Sequence, residues 1–250
     1  MTFDAQRAAD LLIAARRDFR QVALPAPAPA NTAEAYAVQK IVAAACGPAA
    51  GWKVGAKSTS ETPNTSPLFR PIVRQSPCHW PANELHMIGV EGELAFRLGR
   101  DVPSRHTPMT PDEVWNSVAS VHAAIEVVDT RVADWKNADR LWILADNQAN
   151  GGFVFSPSGK SLSGGSYADA EVRLTINDKI AVEARGGNPA GDPRWLVEWC
   201  VDHVARERGG LKAGDFITTG SYTGMIFIEP GAKITAEFDN IGRVAVEFPA

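Results

Sequence analysis

Two segments of the chain read as strand–turn–strand units, and they limit the fold more than anything else in the sequence. TIND-KIAVEA turns through Asn177 and Asp178, and ITAEFDNIGRVAVEF turns around Asn240 and Gly242. In both, alternating residues flank a tight turn of the type that Asn, Asp and Gly favour because they tolerate positive φ. From residue 50 onward the chain keeps this character. Strands are expected at 52–55, 87–98, 123–130, 152–156, 171–176, 179–184, 215–219, 233–238 and 243–248. Two helices interrupt them. One starts at the capping box Thr110-Pro111-Asp112-Glu113 and is expected to end at His122, just before the Glu126 strand. The other starts at Asp192-Pro193 and stops before Gly209-Gly210. Strand and helix do not alternate regularly, which excludes a doubly wound parallel sheet. The expected class is α+β with a mainly antiparallel β core.

The first fifty residues differ. DAQRAADLLIAARRDF places Ala8, Leu11, Leu12 and Ala15 on one helical face. LPAPAPAN then breaks the helix, because proline at alternate positions cannot propagate it. Asn31 or Thr32 can cap a second helix that Gly47 ends. The expected organisation is a helical N-terminal arm, residues 1–50, joined to a β domain, residues 51–250.

Composition excludes several function classes. A chain of 250 residues with 45% hydrophobic and 22% charged residues can bury a sizeable core. A net charge of -4, with the basic residues scattered, gives no basis for nucleic acid or an anionic membrane as partner. No apolar run reaches the roughly 18 residues that span a bilayer, and the N-terminus lacks the pattern of a signal peptide. Cys46, Cys78 and Cys200 are odd in number, far apart and without zinc spacing. They suit a reducing cytoplasm and buried, inert thiols.

Chemistry concentrates in four short stretches. In GVEGELAF (89–96), Glu91 and Glu93 point to one side of a strand while Val90, Gly92, Leu94 and Phe96 take the other. Alone, that pattern describes a strand with one wet face. In AAIEVVDTR (123–131), Glu126 shares its face with Ala124 and Val128, where a carboxylate must be paired or bind a cation. Arg131 or a lysine is the bland partner. Three carboxylates together suit a hard, oxygen-ligated divalent ion rather than zinc. GWKVGAKS (51–58) offers Lys53 between glycines, for an anionic substrate or proton transfer. TTGSYTGM (218–225) exposes backbone N–H groups and hydroxyls at a strand end, at Thr219, Gly220 and Ser221, or forms a plain surface turn.

In this order, GWKVGAKS, GVEGELAFRLGRDVP, AAIEVVDTRVADW, LADNQANGGFVF and ITTGSYTGM with EPGAKITAEFDNIGRVAVEF resemble the 2-keto-4-pentenoate hydratase / 4-oxalocrotonate decarboxylase family, within the wider fumarylacetoacetate hydrolase superfamily. The resemblance runs from about residue 34 to the C-terminus. It implies a mixed β-roll core with flanking helices, and Mg²⁺ or Mn²⁺ held by Glu91, Glu93 and Glu126, with Lys53 as the catalytic lysine. It further implies a homo-oligomer acting on 2-oxo or 2-hydroxydienoate acids from aromatic catabolism. Arg70 and Asn147 join Thr219, Gly220 and Ser221 as candidate substrate contacts.

The chain also departs from the family pattern. G-x-K-x-G-L-T-S ends here in Ala56, Lys57 and Ser58, and D-N-A-S reads Asp146-Asn147-Gln148-Ala149. Leu68 stands where many hydratases carry an acidic residue. The expectation is a metal-dependent hydratase-like lyase acting through a stabilised enolate. A 4-oxalocrotonate-type decarboxylase, an acylpyruvate hydrolase and a catalytically silent 2-oxo-acid binder remain as alternatives.

Overall fold

A computed structural model describes residues 2–162 and 164–250. Two helices come first, α1 (Ala5–Arg17) and α2 (Thr32–Cys46). Asp4 caps α1 by accepting from Arg7 N, and Asn31, not Thr32, caps α2 by accepting from Glu34 N. α1 buries Ala8, Ala9, Leu12 and Ala15; α2 buries Ala35, Val38, Gln39 and Val42. Both helices pack with Phe69, Trp142 and Leu144 of the following chain, and Val22 between them bridges to Val132.

The body is built from the strands β1 (Ala49–Gly55), β2 (Asn64–Phe69), β3 (Val73–Gln75), β4 (Cys78–His79), β5 (Gly89–Leu98), β6 (Val118–Val128), β7 (Asn150–Phe155), β8 (Glu171–Ile176), β9 (Lys179–Arg185), β10 (Phe216–Ser221), β11 (Lys233–Phe238) and β12 (Gly242–Glu247). Among the described residues they form a nine-stranded sheet with the path β2-β1-β10-β5-β6-β7-β3, to which residues 226–227 and 160–161 add short strands. A five-stranded sheet, β9-β8-β11-β12-β4, contains both turn-linked pairs read from the sequence. Pairing is mainly antiparallel, with β1–β10, β3–β7 and β12–β4 parallel. This is the α+β, β-roll-like class expected. The helices α3 (Pro111–Trp115), α4 (Arg140–Ala145) and α5 (Arg194–Glu207) flank the sheets.

One face of the large sheet joins the main core of Trp52, Val90, Leu94, Phe96, Ile125 and Val127. The other face holds a smaller apolar group, Leu68, Ala95, Ala124, Phe153 and Phe216, beside the carboxylates. Three expectations need correction. The capping box at Thr110 and Glu113 forms, but α3 lasts five residues, so His122 lies within β6 instead of ending a helix. A long apolar run such as VHAAIEVV does not separate helix from strand by periodicity, and here pairing with β5 decides. β2 was not expected because Pro67 interrupts it; β2 is an edge strand, where a missing N–H breaks no ladder. Of the three thiols only Cys200 is fully buried, Cys46 and Cys78 being half-buried.

Candidate metal centre

Register assembles the site. Glu91 on β5 stands directly opposite Glu126 on β6, and Glu93 lies two residues further on, opposite Ala124. On the other side of β5, Thr218 of β10 pairs with Ala95 and Lys53 of β1 pairs with Thr218. Strand alternation then turns all of these side chains to one face. Glu91, Glu93 and Glu126 each place a carboxylate oxygen within 4.8 Å of the others.

Glu93 and Glu126 are fully buried, and each has one oxygen held and one free. Glu126 Oε1 accepts from Lys53 Nζ at 2.6 Å and from Asn150 Nδ2 at 2.9 Å, while its Oε2 is buried without a partner among the described residues. Glu93 Oε2 accepts from the Thr218 hydroxyl and from Gly220 N at 3.2 Å, leaving Oε1 in the same condition. Buried acceptors without donors are rare because each carries an uncompensated desolvation cost. Two of them among three clustered carboxylates fit a bound cation, and an all-oxygen donor set fits a hard divalent one. The tethered oxygens are then the means by which the protein orients its ligands.

The electrostatics agree. Burial and then Glu126 push Glu91 up to about 7, against the opposing pull of Lys53. Burial, Glu126 and Glu91 raise Glu93 well above the carboxylate range. Burial alone would lower Lys53, but Glu126, Glu91 and Glu93 outweigh it and leave the ammonium form favoured. The upward shifts show carboxylates crowded together with one ammonium too few to keep them ionised, a deficit of positive charge that a divalent cation would fill.

Lys53 Nζ also donates to Gln148 O at 3.2 Å. Gln148 is the middle one of three consecutive non-glycine residues with positive φ: Asn147 (55°), Gln148 (53°) and Ala149 (56°). Each such residue costs about 1 kcal/mol or more, so its neighbours must hold the loop in place. They do so through a chain in which Gln39 Nε2 reaches Ser66 Oγ at 2.9 Å and Ser66 Oγ donates to Gln148 Oε1 at 2.9 Å.

The other expected site residues are less uniform. Gly220 reaches the cluster through its backbone, and Ser221 pairs with Glu93 at the strand end. Thr219 points the other way, its hydroxyl on Leu94 O; it is Thr218 that meets Glu93. Asn147 is buried and donates to Pro67 O at 3.2 Å. Arg70 is exposed and acts electrostatically on Asp215, away from the carboxylates. Arg131 does not pair with Glu126: it bonds Asp146 at 2.7 Å and lies 3.8 Å from Asp129. His122 is structural, bonded to Ser156 O and Ser120 Oγ. Thr218, Asn150 and Gln148 were missed. A cavity of about 490 Å³ beside α1, lined by Arg16, Trp80 and Asp129 among others, contains none of the cluster side chains.

A β-roll carrying three convergent carboxylates and a lysine on one face of its larger sheet defines a class of protein with the donor set of a divalent-cation centre. The chain belongs to the fumarylacetoacetate (FAA) hydrolase C-terminal family, which it matches over residues 20–248. It is similar to the 2-keto-4-pentenoate hydratase of Paraburkholderia xenovorans (strain LB400), at 30% identity over 168 residues, 67% of this chain and 61% of that one. The match thus spans about three fifths of that relative's length. With 2-keto-4-pentenoate hydratase 1 of Dechloromonas aromatica (strain RCB) it shares 28% identity over 257 residues, covering 97% and 96% of the two chains. In fold it is similar to 4-oxalocrotonate decarboxylase from Pseudomonas putida G7, solved with magnesium and adipate, with a TM-score of 0.83, 21% identity and 99% of each chain covered. These findings bear out the family resemblance and the fold class. Among the described residues no helix is long and apolar enough to cross a membrane.

Proposed function

We propose that the chain is a divalent-metal-dependent lyase, a 2-keto-4-pentenoate hydratase-like enzyme acting on a small 2-oxo or 2-hydroxydienoate acid. The observation that carries this is the pair of orphaned, buried oxygens, Glu93 Oε1 and Glu126 Oε2, whose companion oxygens are tied down, in a cluster that Glu91 completes. Glu91, Glu93 and Glu126 are the proposed ligands. When bound, Mg²⁺ or Mn²⁺ supplies Lewis-acid stabilisation for the charge that develops on a 2-oxo oxygen.

The protein's own groups do the rest. Lys53, held as an ammonium by the carboxylates, grips an anionic substrate group and delivers a proton from Nζ. Asn150, Thr218 and Gly220 N keep Glu126 and Glu93 from turning. Leu68, Phe153 and Phe216 form a dry wall beside them, which strengthens every charge interaction at the site. The working form is proposed to be a cytoplasmic homo-oligomer.

A decarboxylase reading has one observation in its favour. Leu68 is fully buried in that apolar group, so no acid stands there to place a water. An ultraviolet assay of metal-stripped protein decides between them, using 2-hydroxypenta-2,4-dienoate, 4-oxalocrotonate and an acylpyruvate with and without Mg²⁺. Metal-dependent loss of the first supports the hydratase, and of the second the decarboxylase. Loss of only the third makes it a hydrolase. If none is consumed while oxalate still binds with metal, the enzyme reading fails and a silent binder remains.

A further inference from the structure

On the far side of the Gln39–Ser66 link, a cavity of about 800 Å³ lies between α2, the β1–β2 edge and the end of α5. None of the cluster side chains lines it. Its lining residues include aromatic rings and three side chains, Arg208, Gln39 and His203, each with a buried polar atom that has no partner among the described residues, and those atoms differ in kind.

Arg208 provides an unused donor. Its guanidinium stacks over the Tyr36 ring, 4.3 Å from the centroid, and lies 5.9 Å from the Trp52 centroid. Its Nη2 is buried without a partner among the described residues, and no carboxylate pairs with it there. Glu207, which lines the same cavity, is turned to Arg206 at 3.9 Å. Lys40 adds a second cation to the rim. A guanidinium held flat against aromatic rings keeps its edge for bonding, which suits a planar anion such as a carboxylate.

Gln39 provides an unused acceptor. Its Nε2 donates to Leu144 O at 2.5 Å, and a carbonyl can only accept, which fixes the orientation of the amide. Its Oε1 is therefore the free atom, buried and without a donor among the described residues. His203, stacked on Trp199 with ring centroids 4.6 Å apart, contributes a further unpartnered nitrogen, Nε2. An inorganic anion would satisfy Arg208 but leave Gln39 bare. A flat organic carboxylate that also carries a hydroxyl satisfies both.

We propose that this cavity is a second binding site, separate from the carboxylate centre, for a small planar hydroxylated carboxylate such as an aromatic hydroxy acid. The guanidinium of Arg208 and Lys40 take the carboxylate, the apolar lining of Ala37, Ala43 and Trp52 takes the ring, and Gln39 Oε1 accepts from the hydroxyl. The site does not depend on the reaction at the centre.

The test is titration calorimetry of the full chain with 4-hydroxybenzoate, with benzoate and inorganic phosphate as comparison arms. Saturable binding is expected for 4-hydroxybenzoate, weaker for benzoate and weakest for phosphate. It should fall about tenfold or more in Arg208→Gln and stay unchanged in Glu93→Gln. Lys40→Glu, which alters an exposed residue and spares the packing, should weaken it as well, so the test survives if the arginine variant fails to fold. The proposal is overturned by absence of saturable binding, by phosphate binding tightest, or by Arg208→Gln and Lys40→Glu both matching the parent. Loss in Glu93→Gln alone would move the ligand to the carboxylate centre and overturn it equally.

Discussion

Lys53 Nζ lies 2.6 Å from Glu126 Oε1, and the two residues sit on strands separated by β10 and β5. The lysine side chain is 13% exposed and the glutamate wholly buried. The contact thus spans the width of the site and ties its only cation among the cluster side chains to one of its two fully buried acids.

Lys53→Met should accordingly destabilise the metal-free protein by about 3–5 kcal/mol, because breaking a buried pair leaves uncompensated charge. Urea unfolding with and without Mg²⁺ measures this. The loss should shrink when metal is added, since a divalent cation compensates the same carboxylates. Turnover should not recover: it is expected to stay about 10²-fold or more below the parent. Recovery of turnover with metal would make the lysine a structural counter-ion and nothing more.

Thr218→Val keeps shape and removes one hydroxyl. Glu93 Oε2 then retains only Gly220 N, and the carboxylate is free to turn. Metal affinity should drop about 10–100-fold, the usual scale for loss of an orienting partner. Glu93→Gln should abolish metal binding outright. Equal metal affinity in Thr218→Val and the parent would remove the hydroxyl from the site's design.

That threonine also marks the limit of what the sequence discloses. The paired carboxylates were legible because strand alternation aims Glu91 and Glu93 together, and Glu126 because a carboxylate among Ala124 and Val128 demands a partner. The helix caps and the turn-linked strand pairs were legible for the same reason, each being a local rule of backbone and side chain. Thr218 against Thr219 was not, since the choice depends on which face of β10 meets β5, a matter of register across 125 residues. The loop 147–149 was also hidden. Nothing in DNQAN announces three left-handed residues in a row, because their cost is met by Gln39 and Ser66, which are remote in sequence.

pH supplies a further test. Folding raises Glu91 from 4.5 to about 7, so the folded state holds a proton there that the unfolded chain releases. This contribution to stability is fully present below the unfolded value and is lost as pH rises through about 7. Glu93 is shifted in the same direction. The metal-free parent should therefore lose stability relative to Glu91→Gln between about pH 5 and 8. Urea midpoints of both proteins across that range provide the comparison. A difference that grows in favour of the parent would reverse the sign and remove burial as the cause.

Ser66→Ala probes the support beneath Gln148. The hydroxyl is fully buried and stands between Gln39 Nε2 and Gln148 Oε1, each at 2.9 Å. Its removal strands one donor and one acceptor in the interior, which costs about 1–3 kcal/mol. With that hold gone, the left-handed loop can relax and carry the Gln148 carbonyl off Lys53 Nζ, 3.2 Å away. Lys53 then keeps Glu126 but loses its second anchor. The expected signature is kcat lowered several-fold with metal affinity nearly unchanged, because none of the ligand tethers is touched. Metal titration beside steady-state kinetics separates the two quantities. A loss of metal affinity as large as the loss in kcat would show that the loop supports the carboxylates and not the lysine.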